Sequence, residues 1–292
     1  MELSVIIISY NVREYLGKAL GSLLTSATGI DCELIVVDNN SSDGSAMMVR
    51  ELYPGINLIV SDTNEGFAAA CNKGIMASSG QFVLILNPDT ETEPDCLRVS
   101  LDFMKRHPEA GAVGARMVNG DGMFLPESKR GFPSPLTCFC RFSRLSKLFP
   151  HSSFFNYYYL GHLPENEICR ADILTGAYMF IRREALDKTG LFDTDFFMYG
   201  EDIDLSWRIV KAGYVNYYLP EARIIHYKGK SAPSWDKNRI RYFYSAMSIF
   251  AGKHLNKGWL LPVAAGVKFM TFVSLLSATF RKHAKKKSPR KK

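Results

Sequence analysis

The sequence predicts an α/β domain built on a largely parallel sheet, and three observations carry that expectation. Two apolar runs close on acid and amide residues: Glu33-Leu34-Ile35-Val36-Val37-Asp38-Asn39-Asn40 and Phe82-Val83-Leu84-Ile85-Leu86-Asn87-Pro88-Asp89. Short Val/Ile/Leu runs ended by turn residues read as strands buried on both faces. The first ninety residues alternate such runs with helical stretches, which calls for parallel strands joined by right-handed crossovers. Ligands of such sheets sit beyond the carboxyl ends of the strands. Both runs therefore deliver carboxylates and amides to a binding rim.

In order, the expected elements are a strand over 3–9, a helix over 12–26, a strand over 33–38 and a helix over 42–53. A short strand over 57–61, a helix over 67–79 and a strand over 81–86 follow, with Pro54-Gly55 and Gly80 where helices should stop. From 115 to 170 Pro, Ser, aromatic and basic residues mix without a period, as in Phe154-Phe155-Asn156-Tyr157-Tyr158-Tyr159. Disordered segments are poor in aromatics, so this reads as an ordered insertion. Regular structure resumes with an apolar run over 173–182, helices over 183–189 and 202–212, and two short strands over 214–219 and 222–226. Residues 235–280 read as helical and apolar.

The net charge of +7 is local. Residues 281–292 hold eight Lys/Arg and no acid, and without them 28 basic residues face 29 acidic ones. A nearly neutral body argues against a nucleic-acid-binding domain, which needs a basic folded face. The six cysteines lack the paired spacing of a zinc site, and no signal peptide is read ahead of the first strand. Reduced thiols in a cytoplasmic protein are the expectation.

Several residues at the expected strand ends suit a small polar ligand. Ser9, Tyr10 and Asn11 follow the first strand and could hydrogen-bond and flank a pyrimidine base; a helix N-cap is the plainer role for Ser or Asn there. Asp38 and Asn40 lie in an acid-amide run richer than one cap needs. Asn64, Gly66 and Asn72 belong to Asn64-Glu65-Gly66-Phe67-Ala68-Ala69-Ala70-Cys71-Asn72-Lys73-Gly74, whose small first-turn residues allow close approach of a phosphate to a helix N-terminus, or simply close helix–sheet packing. Met198-Tyr199-Gly200-Glu201-Asp202-Ile203-Asp204 places three acids in four positions before an amphipathic helix. Asp204 suits the helix dipole.

These residues resemble the nucleotide-sugar half of a family 2 glycosyltransferase with the GT-A fold, a Rossmann-like mixed sheet flanked by helices. The Asn64–Gly74 pattern resembles its rhamnosyltransferase-like branch, and the resemblance covers about residues 3 to 230. It implies an inverting transfer from a nucleoside-diphosphate sugar, with dTDP-rhamnose suggested, to a saccharide or polyprenyl-diphosphate-linked saccharide in cell-surface polysaccharide synthesis. It assigns Asp38 to the nucleotide. Asn87-Pro88-Asp89 occupies the D-x-D position with Asn in place of the first Asp. Asp89, joined by His226, would then hold Mg2+ or Mn2+, hard ions that suit oxygen ligands and stabilise a departing diphosphate. Glu201-Asp202 resembles the E-D motif, with Asp202 as general base and Glu201 as the other candidate or an acceptor-positioning group. Thr175 and Gly176 resemble the segment lining the acceptor and donor-sugar pocket.

The implied organisation is a catalytic domain over 1–234, a helical region over 235–280 and a basic tail over 281–292. A sugar nucleotidyltransferase would need a Gly-rich, Arg-containing loop after the first strand, and a dehydrogenase would need G-x-G-x-x-G; both are missing. A non-catalytic nucleotide-sugar-binding protein would keep Asp38 but could lose Asp202. Residues 259–280 carry one charge, Lys268, over 22 residues, long enough to span a bilayer. Lys268 near mid-bilayer, Pro262 with Gly266, and a basic tail that a span would export favour lying in the interface instead. The expectation is peripheral attachment to the anionic cytoplasmic face of the inner membrane. The competing reading packs this helix on the catalytic domain.

Overall fold

The computed structural model describes residues 1–228, 237–255, 266–268, 271 and 274. β1 (Leu3–Ser9), α1 (Arg13–Ser26), β2 (Cys32–Asp38), α2 (Ser45–Leu52), β3 (Asn57–Val60), α3 (Phe67–Met76) and β4 (Phe82–Leu86) alternate as the sequence demands. They are followed by β5 (Thr90–Thr92), α4 (Cys96–Arg106), β6 (Ala110–Val118), α5 (Pro135–Phe142), α6 (Leu145–Leu148) and β7 (Cys169–Arg170). The chain continues through β8 (Tyr178–Arg182), α7 (Arg183–Thr189), α8 (Glu201–Lys211), β9 (Val215–His226) and α9 (Lys237–His254).

The described strands form one mixed sheet in the order β3-β2-β1-β4-β8-β6-β9-β5, with β7 on β9. β1, β2, β3 and β4 are parallel, and β8 runs antiparallel to β4 with Leu86 opposite Tyr178. β1 is buried along its whole length, so its side chains feed both layers. Val5 and Ile7 pack under α1 and α4 through Leu16, Leu20, Leu97 and Leu101, whereas Ile6 and Ile8 pack under α3 and α8 through Cys71, Ile75, Leu205 and Ile209. Gly74 of α3 lies on Ile6, where an added Cβ would come within 2.3 Å of Cγ2. Gly74→Ala should therefore lower the urea midpoint by an amount equivalent to ~1–3 kcal/mol, the usual cost of overpacking a core.

β5, α4 and β6 escaped the sequence reading, as did α5, α6 and β7 inside the stretch taken as insertion. β6 runs into the stretch taken as insertion, and it lacks a strand signature because neighbours demand small residues. A Cβ on Gly111 would meet Ile209 Cγ2 at 2.4 Å, and one on Gly114 would meet Leu174 Cδ2 at 2.9 Å. The two short strands expected over 214–226 are a single strand, β9, whose register against β6 slips between Ala115 and Arg116. Pro220 and Glu221 fall in that irregularity, where Pro need not donate to a ladder.

The helical expectation over 235–280 meets α9 in its first part. Residues 256–265 and the basic tail lie outside the described residues. Val267 is buried against Ile240 and Tyr244 of α9, and the Tyr244 hydroxyl lies 2.9 Å from Ser274 Oγ. Val267 and Ser274 are thus committed to contacts with α9. Among the described residues no helix is long and apolar enough to cross a membrane.

Candidate active site

The site lies along the carboxyl edge of β2, β1 and β4 and continues onto the start of β8. Ser9 and Asp38 end β1 and β2 as paired neighbours and are both buried. Asp38 Oδ1 accepts from the Ser41 N–H at 2.8 Å, while Asp38 Oδ2 and Ser9 Oγ are buried without a hydrogen-bond partner. Leaving such atoms unpaired costs ~1–3 kcal/mol each, which makes them strong candidates for a polar ligand. The Tyr10 ring is 43% exposed beside them.

The N-cap expectation for Ser9 or Asn11 fails. α1 is capped from another loop: Asp43 Oδ2 accepts from the Arg13 N–H at 2.8 Å, and Oδ1 accepts from Ser45 N–H and Oγ–H. Asn11, at φ 55°, instead accepts from the Ser42 N–H at 2.8 Å and so ties the β1 loop to the β2 loop. Asn40 is exposed at φ 67°. Asn39 is buried and was passed over in sequence although it sits in the same run. Its Nδ2 donates to Asn64 Oδ1 at 3.0 Å and to the Gly66 carbonyl at 3.1 Å, and its Oδ1 accepts from the Glu65 N–H. Asn64 Oδ1 also takes the Gly66 N–H at 3.0 Å.

Part of the α3 motif serves the fold. The leading N–H of the helix, on Phe67, donates to the Phe197 carbonyl at 2.9 Å. Gly66 is required at φ 87° because a Cβ would meet the same carbonyl at 2.5 Å. The Asn72 amide is also spent, bonding the Phe192 carbonyl at 2.8 Å and the Phe192 N–H at 2.9 Å. Asn72 fastens the α7–α8 connection to α3.

Asn87 and Asp89 follow β4. The Asn87 N–H donates to the Ala177 carbonyl at 3.1 Å, which joins this turn to Thr175-Gly176 ahead of β8. Asp89 is fully buried, and its Oδ1 lies 3.4 Å from Nε2 of His226. The pairing of β5 with β9 sets Thr90 opposite His226 and fixes that approach. His226 Nδ1 is buried without a hydrogen-bond partner. A carboxylate and an imidazole at this spacing fit two positions of one divalent ion. Among the described residues no group of three or more His, Cys, Asp or Glu that could hold an ion is found.

Glu201 and Asp202 open α8, presented by Tyr199 at φ 69° and Gly200 at φ 85°. Gly200 packs so tightly on Phe196 and Ala246 that a Cβ would lie 3.0 and 3.1 Å from them. Asp202 faces the Thr175-Gly176 loop: its Oδ2 accepts from the Gly176 N–H at 3.3 Å and from Arg130 Nη2 at 2.6 Å. Arg130 also donates to the Leu174 carbonyl at 2.6 Å. Burial opposes the Arg130 charge most strongly, but the Asp202 carboxylate and the Tyr158 hydroxyl together outweigh it and raise the guanidinium pKa. Nothing in sequence pointed to Arg130, because it lies in the periodless insertion 72 residues from its partner.

Glu201 is buried, with Oε2 unpartnered, and burial followed by the Asp202 charge pushes its pKa up to about 8. Burial and the adjacent carboxylate thus favour the protonated form of Glu201. A carboxyl raised this way binds a proton in the folded chain that the unfolded chain releases near 4.5, so its contribution to stability is lost as pH rises from about 4.5 to about 8. Glu201→Gln should flatten that fall, seen as urea midpoints that converge at pH 5 and separate at pH 8 in favour of the variant.

Asp204 holds the far end of α9 rather than serving the helix dipole alone. Its carboxylate bonds Arg208 Nε at 2.8 Å and lies 2.6 Å from His254 Nε2. Tyr242 of α9 stacks on Phe197 with centroids 4.7 Å apart. α9 therefore braces the loop that carries Glu201 and Asp202.

The family model for "Glycosyl transferase family 2" matches residues 4–190. The chain is 29% identical over 272 residues to N-acetylglucosaminyl-diphospho-decaprenol L-rhamnosyltransferase of Mycobacterium tuberculosis, covering 89% of this chain and 87% of the relative. It is 25% identical over 224 residues to the poly-β-1,6-N-acetyl-D-glucosamine synthase of Staphylococcus epidermidis, 75% of this chain but 48% of the synthase. Similar solved structures include a mannosyltransferase from Pyrobaculum calidifontis in complex with GDP-Man and Mn2+ (TM-score 0.59, 21% identity, 97% of this chain and 80% of that one). Another is S. aureus TarS 1–349 in complex with UDP (TM-score 0.57, 18% identity, 91% and 70%). Both likenesses show the GT-A architecture. This chain belongs to glycosyl transferase family 2 and is a glycosyltransferase.

Proposed function

We propose that this glycosyltransferase transfers a sugar, with inversion, from a nucleoside-diphosphate donor to a saccharide carried on a polyprenyl diphosphate, in cell-surface polysaccharide synthesis. The observation that carries the reading is the alignment of Ser9–Asp38, Asn87–Asp89 and Gly176–Asp202 along one continuous sheet edge. Asp38 Oδ2 and Ser9 Oγ take the nucleoside, with Tyr10 flanking the base. Thr175 and Gly176 border the sugar. Asp202, fixed by Arg130 and Gly176, removes the acceptor proton as its oxygen attacks the anomeric carbon on the face opposite the diphosphate. Asp202 Oδ2 already accepts from Arg130 and Gly176, while Oδ1, which takes the Ile203 N–H at 2.8 Å, keeps a lone pair for the proton. A Mg2+ or Mn2+ held by Asp89 and His226 would supply Lewis-acid stabilisation of the leaving diphosphate.

The relative from Mycobacterium tuberculosis supports rhamnose as the sugar and a lipid-linked N-acetylglucosamine as the acceptor, and dTDP-rhamnose is the donor we propose with them. Thermal stabilisation by a panel of sugar nucleotides with Mn2+ tests donor choice, since any ligand of the folded state raises the midpoint. dTDP-rhamnose should give the largest shift, and Asp38→Ala should remove it. A panel that leaves the midpoint unmoved would overturn the assignment. A lipid-linked acceptor would suit an enzyme on the cytoplasmic face of the inner membrane, and we propose residues 259–292 as one means of holding it there. Deleting them should lower the share of the protein in the membrane pellet, and a full-length protein that is wholly soluble would defeat that part.

A further inference from the structure

The insertion between β6 and β7 carries a surface that the transfer reaction does not use. α5 buries Thr137 and Cys140 and turns Leu136, Phe139 and Phe142 outward at intervals of three. Leu136, Phe139, Leu148 and Phe154 are 49%, 62%, 69% and 57% exposed, and Phe149 stacks at 4.9 Å on Phe155 beside them. A cleft of about 600 Å³ opens in this surface, with Arg141, Phe142, Arg144, Lys147 and Tyr159 among its lining residues. This draws the end of α5, α6 and the following turn around one opening. The Arg141 guanidinium lies over Tyr158 and Tyr159, at 4.7 and 5.3 Å from the ring centroids, and is thereby pre-positioned.

Charge decides what such a surface meets. No Asp or Glu occurs between Glu127 and Glu165. Lys129 is buried on the carbonyls of Leu163 and Pro164, and Arg130 is buried on Asp202, which leaves Arg141, Arg144 and Lys147 to set the outward charge. Exposed Phe and Leu among unopposed cations suit an interface where apolar chains lie beneath anionic headgroups. A second copy meeting the same face across a two-fold axis would set these three cations against their equivalents.

We propose that residues 135–154 form a membrane-docking surface that seats on an anionic bilayer, with Phe139, Phe142, Leu148 and Phe154 entering the acyl boundary and Arg141, Arg144 and Lys147 meeting lipid phosphates. The surface is fastened to the catalytic helix at its base, through Arg130 on Asp202 and through Phe132 edge-on to Trp207 at 4.4 Å. Docking there presents the catalytic carboxylate to a membrane-held acceptor, and it is independent of the C-terminal segment.

The test uses full-length Phe139→Trp, with Phe154→Trp as a second reporter, and phosphatidylglycerol vesicles bearing brominated acyl chains. Quenching beyond that of the native tryptophans is expected in anionic vesicles and not in pure phosphatidylcholine. Lys147→Glu combined with Arg144→Asn, a residue that tolerates the φ of 64° found there, should weaken vesicle binding roughly ten-fold or more, since one cation near an anionic surface contributes about five-fold. Two results would overturn the proposal. One is vesicle binding without extra quenching of either reporter, which would assign the membrane contact to the C-terminal segment alone. The other is a lipid-independent spectral shift with doubled solution mass, which would make this face a contact between copies.

Discussion

Asp202→Asn should lower the rate of transfer by ~10²–10⁴-fold while donor binding stays intact. The amide keeps the shape of the carboxylate and can still accept from the Gly176 N–H and Arg130, but it cannot take a proton. The neighbouring Glu201 is a poorer stand-in, because burial and the adjacent carboxylate favour its protonated form. Glu201→Gln should therefore be far milder in activity at neutral pH. If Glu201→Gln proves the more damaging of the two, the roles are exchanged; if neither matters, the pair is not the proton acceptor. Arg130→Ala leaves Asp202 without its closest partner and should depress turnover more than donor affinity, the behaviour of a positioning residue.

Asp89→Ala should abolish transfer and the metal dependence of donor binding without unfolding the chain. The local backbone is held independently of the side chain, since the Tyr227 N–H donates to the Asp89 carbonyl at 2.9 Å, a bond that alanine retains. What is lost is the carboxylate whose Oδ1 lies 3.4 Å from His226 Nε2. Titration of the donor by calorimetry with and without Mn2+ reads this directly. Near-normal affinity with an unchanged metal response would remove Asp89 from the ion site.

The parallel half of the fold was legible because its signal is local: buried Val/Ile/Leu runs closed by turn residues, at the spacing crossovers require. β6 was not, since the shape of its neighbours forces Gly and Ala where a strand would show branched residues. The candidate site divides the same way. Asp38, Asp89, Asp202 and His226 end recognisable elements, so their places could be read from the chain. Arg130 acts from an insertion with no periodicity, and its partner is fixed only by tertiary folding. Asn72 and Gly66 carry a further role that the motif did not announce, holding the Phe192 and Phe197 loop, because hydrogen-bond partners distant in sequence leave no mark on either segment. Asp204, read as a dipole residue, is the anchor for His254 across 50 positions.

The central claim, inverting transfer by the Asp202 edge of this site, is tested most directly by the anomeric configuration of the product. Purified full-length enzyme, dTDP-rhamnose, Mn2+ and a synthetic N-acetylglucosaminyl diphosphate lipid should yield a disaccharide lipid. Its new linkage, read by NMR, should have the configuration opposite to that of the donor, and Asp202→Asn should form it at a small fraction of the rate. A product that retains the donor configuration, or one formed equally well by Asp202→Asn, would contradict the account.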